Sequence, residues 1–487
     1  MADKSEDGAQ GPGEMEEKEA LCRLASQTVM VYHLWKQARQ PVQDVVRDII
    51  ASVCKSQKSI LAREPTRNVL LFMEEPILVG SRAQGIHVLA ESGDSDYDFL
   101  VPIQYEMNLS LKGSRHGKLH TLKGCLPRKE NFENGVPVYL WENKVMVDIT
   151  ETKNYQQLWK NSLDPKSVMK EFWECVQKAL TEDRFRSEQE QRRDRDASAS
   201  QPERRDFAPK ISNVRLKNMD IKPKCPAVQL SAEVDGQAVS IDLVPTIRTK
   251  VDISMDWPRQ DLRWLSDWWD WEQGTERIKP TWNIGEIYKT GTDLVAKGSY
   301  WRLTFSRAET QLLKDIDADG GCRRKALRVL KQINMEKWVP RYGKVLTSYH
   351  LKTVLFWASD LNPETEHWAT VPDAVETLLK VLEFCLEKKH LPSYFLRSIN
   401  FFNWHRTEEE NSLKNLGLEV LRLEVRLMRC SPERYLQLSD DLAKLQGPGP
   451  FVQRAQELAA FRREHRKDLE KLRQPEIPDD SVSMDGD

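Results

Sequence analysis

The acids that could do chemistry in this chain are Asp96 and Asp98, in Gly93-Asp-Ser-Asp-Tyr-Asp-Phe-Leu-Val-Pro102, and Asp242, in Val239-Ser-Ile-Asp-Leu-Val-Pro245. Side chains alternate faces along a strand, so Asp96 and Asp98 would share a face about 7 Å apart. With a third carboxylate from a neighbouring strand they can hold two Mg²⁺ or Mn²⁺ ions about 3.5–4 Å apart. Such a pair activates an attacking hydroxyl and neutralises triphosphate oxygens during phosphoryl or nucleotidyl transfer. Upstream, Gly80-Ser81 offers backbone N–H groups and a hydroxyl to phosphates, and Gly80 permits close approach.

Each feature also has a plainer reading. An Asp-x-Asp pair usually marks a turn or a solvated face. Here it runs into the apolar Phe99-Leu100-Val101, and Ile77-Leu78-Val79 ahead of Gly80 reads as a short buried strand. Asp242 has apolar neighbours on both sides and would be costly to bury without a cation. Asp148, in Val145-Met-Val-Asp-Ile-Thr150, has a similar local shape in more polar surroundings and ranks below Asp242.

The elements that must position these acids are written in patterning. The chain has 487 residues, 39% hydrophobic and 30% charged, enough for two or three domains with solvated helices. Residues 1–18 are acidic, Gly-rich and expected to be disordered. A helical pattern over 19–64 sets Val42, Val45, Val46, Ile49, Ile50 and Val53 on one face, with Pro41 expected to kink it or open a second segment. Its polar side carries Arg39, Arg47, Lys55, Lys58 and Arg63, a basic stripe for which solvated charge is the commoner explanation. Strands and loops follow, with a basic loop at Lys112–Lys118 and Arg128-Lys129, then an amphipathic helix over 163–181 carrying Val168, Phe172, Trp173, Val176 and Leu180.

Residues 181–206 read as an exposed charged insertion. Asp235-Gly236 between two strand-like runs marks a hairpin that returns Asp242 beside the Asp96–Asp98 strand. Trp264, Trp268 and Trp271, at helical spacing, read as packing rather than base stacking. From about 300 the pattern is mostly helical, including 308–316, 322–333, 346–358 and 371–388. After 405 an amphipathic repeat from Leu416 to Leu427, and a second charged helical pattern beyond Gly447-Pro-Gly-Pro450, read as a helical hairpin or partner-binding segment.

Composition narrows the functional classes. Formal net charge is −2, so nucleic-acid binding would need local patches. No run of 18 or more apolar residues exists, and the N-terminus is acidic, so neither a membrane span nor a signal peptide is expected. The eight cysteines are widely spaced without Cys-x-x-Cys, which fits reduced thiols in a cytoplasmic or nuclear protein and predicts no structural zinc.

The chain resembles the cyclic GMP-AMP synthase and Mab (male-abnormal) superfamily of nucleotidyltransferases over roughly 40–404. Besides Gly80-Ser81, Asp96-Tyr-Asp98 and Ser240-Ile-Asp-Leu243, the resemblance is carried by Cys225-Pro-Ala-Val228, Trp301-Arg-Leu-Thr-Phe-Ser306, Cys322–Lys331, Ser348-Tyr-His-Leu-Lys-Thr353 and Tyr394-Phe395. It implies an α+β, bilobal nucleotidyltransferase fold: a spine helix over 19–64, a mixed-sheet core over 65–285, a helical lobe over 286–404 and a charged extension over 405–487 ending in disorder. The family's active site lies in the cleft between the lobes.

The same resemblance assigns roles. Asp96, Asp98 and Asp242 become the metal-binding triad, and Gly80 and Ser81 hold the donor phosphates. Lys331 and Ser348 contact phosphates, Tyr349 stacks a nucleobase, and Arg302, Thr304 and Ser306 read a base edge. From residue pattern alone, Lys331 is a solvated helix lysine and Tyr349 core. The vertebrate synthase's zinc-binding insertion is replaced by Asp317-Ala-Asp-Gly-Gly321, and a threonine two residues beyond the third acid by Val244.

The implied activity is synthesis of a cyclic dinucleotide from ATP and GTP in innate immune signalling, with two Mg²⁺ or Mn²⁺ ions. Double-stranded RNA is the favoured activator, pressing on Arg39, Arg47, Lys55, Lys58, Arg323, Arg324 and Arg328. A homodimer and a protein partner on the C-terminal helices are further expectations. The alternatives are a catalytically silent Mab-like developmental or scaffold protein, and a template-independent polymerase.

Overall fold

The structure, a computed structural model, describes residues 12–64, 71–88, 96–109, 119–124, 136–141, 144–147, 165–181, 214–216, 222–224, 226–234, 237–249, 284–297, 300–396, 399–403, 407–438 and 441–473. Asp148, the basic loop at 112–118 with 128–129, Cys225, the Asp235-Gly236 turn, nearly all of the 181–206 insertion, the tryptophans at 264–271 and the tail after 473 lie outside the described residues. The chain forms two compact units.

One unit comprises His33–Pro258 with Asn283–Lys314. It takes the second part of α1 (Pro12–Arg63), whose residues Val42, Val45, Val46, Ile49, Ile50 and Val53 are all buried, as their helical spacing requires. Then come β1 (Ile77–Val79), α2 (Gly80–Ala83), β2 (Asp96–Leu109), β3 (Leu119–Gly124), β4 (Val136–Trp141), β5 (Lys144–Val147) and α3 (Pro165–Thr181). They are followed by β6 (Val214–Leu216), β7 (Lys222–Lys224), β8 (Ala227–Val234), β9 (Gln237–Thr249), α4 (Ile284–Thr290), β10 (Thr292–Lys297), β11 (Tyr300–Thr304) and α5 (Ser306–Lys314).

The strands make one 11-stranded mixed sheet. Its pairings run from β2 through β3, β4, β5, β11, β10 and β9, then return to β2, so the sheet curls back on itself. β2 and β9 are parallel, with Asp98 opposite Asp242, while β8 and β9 form the expected hairpin. α3 buries Val168, Phe172, Val176 and Leu180, and the Phe172 and Phe72 rings lie 4.8 Å apart.

The other unit comprises Met1–Tyr32, Arg259–Trp282 and Asp315–Asp487. Its helices are α6 (Arg323–Ile333), α7 (Val339–Tyr342), α8 (Ser348–Leu361), α9 (Val371–Glu387), α10 (Glu408–Cys430), α11 (Pro432–Gln437), α12 (Pro450–Glu464) and α13 (Arg466–Leu472). A single π-helical turn, Asn334–Trp338, joins α6 to α7.

α1 begins at Pro12 and runs unbroken through Pro41, so 12–18 are helical rather than disordered; Leu21, Ala25 and Thr28 are buried and anchor its early turns. The helical unit begins at Asp315 rather than 286, because β10 and β11 complete the sheet. Within the stretch expected to be mostly helical from about 300, Trp301–Thr304 is strand.

The apolar repeat after 405 is not an open docking face. Leu418, Val420, Leu421, Leu423, Val425 and Leu427 are buried within the helical unit. A buried polar hub fixes the helices around them. Glu424, wholly buried, accepts from Tyr342 Oη at 2.5 Å, Tyr435 Oη at 2.6 Å and Arg341 Nη1 at 3.1 Å, and also from Arg462 Nη2. A buried carboxylate this fully satisfied is tolerable only because both cations and both hydroxyls reach it.

Candidate functional site

The site begins as cross-strand rows on one face of the curled sheet. Paired residues of adjacent strands share a face, and every second residue along a strand returns to it. Asp98 stands opposite Val79 of β1 and Asp242 of β9, and Asp242 stands opposite Gln229 of β8. Asp96 lies one row outward, opposite Ser240. Val79, Leu100, Ala227, Val244 and Val295 form a buried apolar cluster beneath, with Ile77 packed against it. The three sequence-predicted acids thus share one face, at the rim of an apolar floor. Asp96 is exposed, while Asp98 and Asp242 are half-buried.

Gly80 and Ser81 follow directly from β1. Gly80 has φ +70°, and a Cβ there would fall 2.0 Å from Asp98 Oδ2. Only glycine lets the backbone lie this close to the carboxylate. Ser81 Oγ lies 3.4 Å from His87 Nδ1, and His87 is buried. Arg82, also buried, places its guanidinium 4.1 Å from the centre of the Tyr97 ring. Burial lowers its pKa to about 10, against the pull of Tyr97, Asp96 and Asp98. Gln84 Nε2 donates to Thr310 Oγ1 at 3.3 Å, tying the end of α2 to α5.

Arg302 and Thr304 lie on β11, with Arg302 opposite Val295 and Thr304 opposite Asp293. Thr304 Oγ1 and Ser306 Oγ share a hydrogen bond of 2.9 Å. Beside them Asp293, buried, takes a bidentate pair from Arg307 at 2.7 and 3.0 Å. Desolvation raises the Asp293 pKa despite that partner. Sequence reasoning missed this pair and missed Gln229, which donates from Nε2 to Asp242 Oδ1 at 3.1 Å and to Ser240 Oγ at 2.8 Å. Only the hairpin register could have pointed to Gln229.

Lys331, Ser348 and Tyr349 belong to the helical unit. Lys331 is buried in the last turn of α6, which corrects its reading as a solvated lysine. Ser348 is exposed at the start of α8. Tyr349 is 39% exposed, which corrects its reading as core; it meets Phe401 edge-on at 5.3 Å, with Lys352 Nζ 4.9 Å from its ring centre.

The candidate nucleic-acid contacts divide. Arg323 and Arg328 are buried, and Arg323 is held by Asp319 at 2.7 Å and lies over the Trp368 ring. Arg324 pairs with Asp317 at 3.0 Å. These acids hold Arg323 and Arg324 at the loop before α6, and Lys325 is the exposed cation of that turn. On α1, Arg47 pairs with Asp44 and Glu75, and Lys58 with Glu74, all at the surface. Lys55 is exposed and Arg39 half-exposed.

The donor set is all carboxylate oxygen, which suits Mg²⁺ or Mn²⁺, and the register presents it on one face. Among the described residues, however, no three His, Cys, Asp or Glu side chains are gathered closely enough to hold a metal ion. Donor chemistry and strand register fit a divalent metal.

This sheet and its acids define a nucleotidyltransferase fold. The Mab-21 protein nucleotidyltransferase domain matches residues 97–315, and the Mab-21 protein HhH/H2TH-like domain matches 322–418. The boundary between them falls where the two compact units divide. Similar proteins include "Protein mab-21-like 3" of Danio rerio, 36% identical over 38% of this chain and 44% of its own length. Another, of the same name, from Xenopus laevis is 30% identical over 39% of this chain and 48% of its own length. "Protein mab-21-like" of Drosophila pseudoobscura pseudoobscura is 27% identical over 29% and 40%. The chain thus spans under half the length of these curated relatives. It belongs to the Mab-21 family.

Proposed function

We propose that this chain is a metal-dependent nucleotidyltransferase that joins ATP and GTP into a cyclic dinucleotide second messenger in innate immune signalling. The observation that carries the reading is the row in which Asp98 faces Asp242, with Asp96 on the same face and Gly80 against Asp98. Mg²⁺ or Mn²⁺ ions bound by these carboxylates would neutralise the triphosphate and acidify a ribose hydroxyl.

The chain's own groups do the rest. Gly80 brings backbone to the donor phosphates, and Ser81 adds a hydroxyl. Arg302, Thr304 and Ser306 offer donors and acceptors to a base edge. In the helical unit, Tyr349 presents an exposed ring for stacking, Ser348 a hydroxyl and Lys331 a cation. The same site would act twice, first forming a linear dinucleotide and then closing it.

Double-stranded RNA is the proposed activator, now resting on Arg39, Arg47, Lys55 and Lys58 without the α6 arginines. Exposed ion pairs such as Lys58–Glu74 are weak, so phosphates can displace their acids. The proposed setting is cytoplasmic or nuclear, and homodimerisation belongs to the same proposal. The alternative reading is a catalytically silent Mab-like developmental or scaffold protein that keeps the fold.

The test is turnover of the four labelled nucleoside triphosphates with Mg²⁺ or Mn²⁺, alone, with double-stranded RNA and with double-stranded DNA. An Asp96→Asn/Asp98→Asn chain is the control. A cyclic dinucleotide made only with nucleic acid and lost in the control supports the reading. No product under any condition favours the scaffold, and a ladder of long products a template-independent polymerase.

A further inference from the structure

Gln229 occupies the position on β8 directly opposite Asp242, in the row that also holds Asp98. Its amide nitrogen has two protons, and both are engaged within the site. One bond runs to Asp242 Oδ1 at 3.1 Å, the other to Ser240 Oγ at 2.8 Å. Rotating the amide by half a turn would set its carbonyl oxygen against the Asp242 carboxylate, a repulsive contact, so its orientation is fixed. The Asp242 carboxylate is thereby held through one oxygen, and its rotation about the Cβ–Cγ bond is restrained.

We infer that Gln229 is a positioning residue that sets the metal affinity of Asp242, an inference that rests on the nucleotidyltransferase reading above. Groups that hydrogen-bond a metal-ligating carboxylate orient it, and their loss typically lowers metal affinity about 10–100-fold. Gln229 is suited to this for three reasons. It donates without adding charge, so it steadies the carboxylate without competing for the cation. It stands on a strand paired along its length with β9, so its backbone is fixed. Ser240 completes the set from the row of Asp96, so one amide links the two rows of acids.

The test is Mn²⁺ binding to the full chain, read by electron paramagnetic resonance of free Mn²⁺, with the metal-free melting temperature read in parallel. Gln229→Met keeps the length of the side chain and removes the donors. We expect it to weaken Mn²⁺ binding about 10–100-fold with little change in metal-free melting. Gln229→His restores one N–H donor and is expected to recover part of the affinity. Asp242→Asn, the control, is expected to lose the site.

Equal affinity of Gln229→Met and the unaltered chain overturns the inference and leaves the metal site standing. Weakening that the histidine fails to relieve also overturns it, since shape rather than donation would then be responsible. An unaltered, folded chain that binds no Mn²⁺ overturns the metal site itself, and the inference with it. If Gln229→Met fails to fold, Ser240→Ala gives the second reading. It removes the anchor of the amide, so an unchanged Mn²⁺ affinity there overturns the inference.

Discussion

Gly80 lies so close to Asp98 that a Cβ on Gly80 would stand 2.0 Å from Oδ2 and 2.9 Å from Cγ of that carboxylate. The residue also has φ +70°, a conformation costly for any side chain. Gly80→Ala must therefore move either the loop or Asp98. We expect a loss of about 2 kcal/mol in stability, seen in chemical denaturation, from backbone strain plus the clash. Nucleotide binding, followed by equilibrium dialysis of ATP, is expected to weaken at least tenfold. Wild-type binding by a folded Gly80→Ala chain would count against the phosphate-loop assignment.

Asp98→Asn separates the two costs that this row of acids carries. Asp98 and Asp242 face each other across a parallel strand pair, and like charges so placed repel. The neutral variant sheds that repulsion together with the attraction between Asp98 and the buried Arg82 guanidinium. The repulsion, from the directly opposite residue, is expected to win, so the variant melts slightly higher than the parent chain without metal. With millimolar Mn²⁺ the order reverses, because only the parent gains from binding a ligand in its folded state. Melting curves with and without Mn²⁺ measure both effects. A variant that melts lower without metal would show that Asp98 is there for structure.

Strand patterning made most of the site legible, because its logic is local. Apolar flanks around Asp98 and Asp242 and the hairpin turn between β8 and β9 place both acids on neighbouring strands. What patterning could not supply was partners brought from a distance. Gln229 is an unremarkable polar residue until the hairpin register sets it opposite Asp242. Arg323 and Arg328 look like exposed helix charge until Trp368 and Asp319 enclose the first and burial hides the second. The strand character of Trp301–Thr304 depends on β10 and β5 pairing on either side, which no local periodicity reports.

Those arginines give opposite expectations to the lysines of α1. Arg323→Ala removes a cation stacked on Trp368 and bonded to Asp319 and to the Ile316 carbonyl. It should cost about 2 kcal/mol or more in stability. Lys55→Glu with Lys58→Glu changes only exposed side chains and should leave melting nearly unaltered. Double-stranded RNA binding, measured by anisotropy at two salt concentrations, should fall in the lysine variant with a shallower salt dependence. Equal RNA binding by that variant and the parent would remove α1 as the activator surface.

Glu424 binds the C-terminal helices to the rest of their unit. Arg462 reaches it from α12, Arg341 from α7, and the hydroxyls of Tyr342 and Tyr435 complete its shell. Glu424→Gln leaves two half-buried guanidinium groups facing a neutral amide. The expected loss is about 3–5 kcal/mol, the cost of breaking a buried ion pair from one side. Urea denaturation measures it, and proteolysis should then open the chain near Gly447 and Gly449, whose surroundings are open space. A loss under 1 kcal/mol would mean that these helices are held by their apolar faces alone.

His350 predicts the acid limit of the helical unit. Its Nδ1 accepts from the Thr347 backbone N–H at 3.3 Å, and Thr347 Oγ1 accepts from the His350 N–H at 3.3 Å, closing the start of α8. Only the neutral imidazole can accept there. Burial, with Lys414 nearby, lowers its pKa from 6.5 to about 4. The unfolded chain therefore takes up a proton near pH 6.5 that the folded chain refuses until about pH 4. The contribution of His350 is complete above pH 6.5 and drains away as the pH falls towards 4. Linkage puts that loss at about 3 kcal/mol. His350→Asn keeps a short acceptor at the cap and does not titrate. Its stability, from urea denaturation at a series of pH values, should vary less between pH 6.5 and 4 than that of the parent chain. Parallel curves for the two chains would mean that the imidazole is already charged in the fold, and that the cap is held another way.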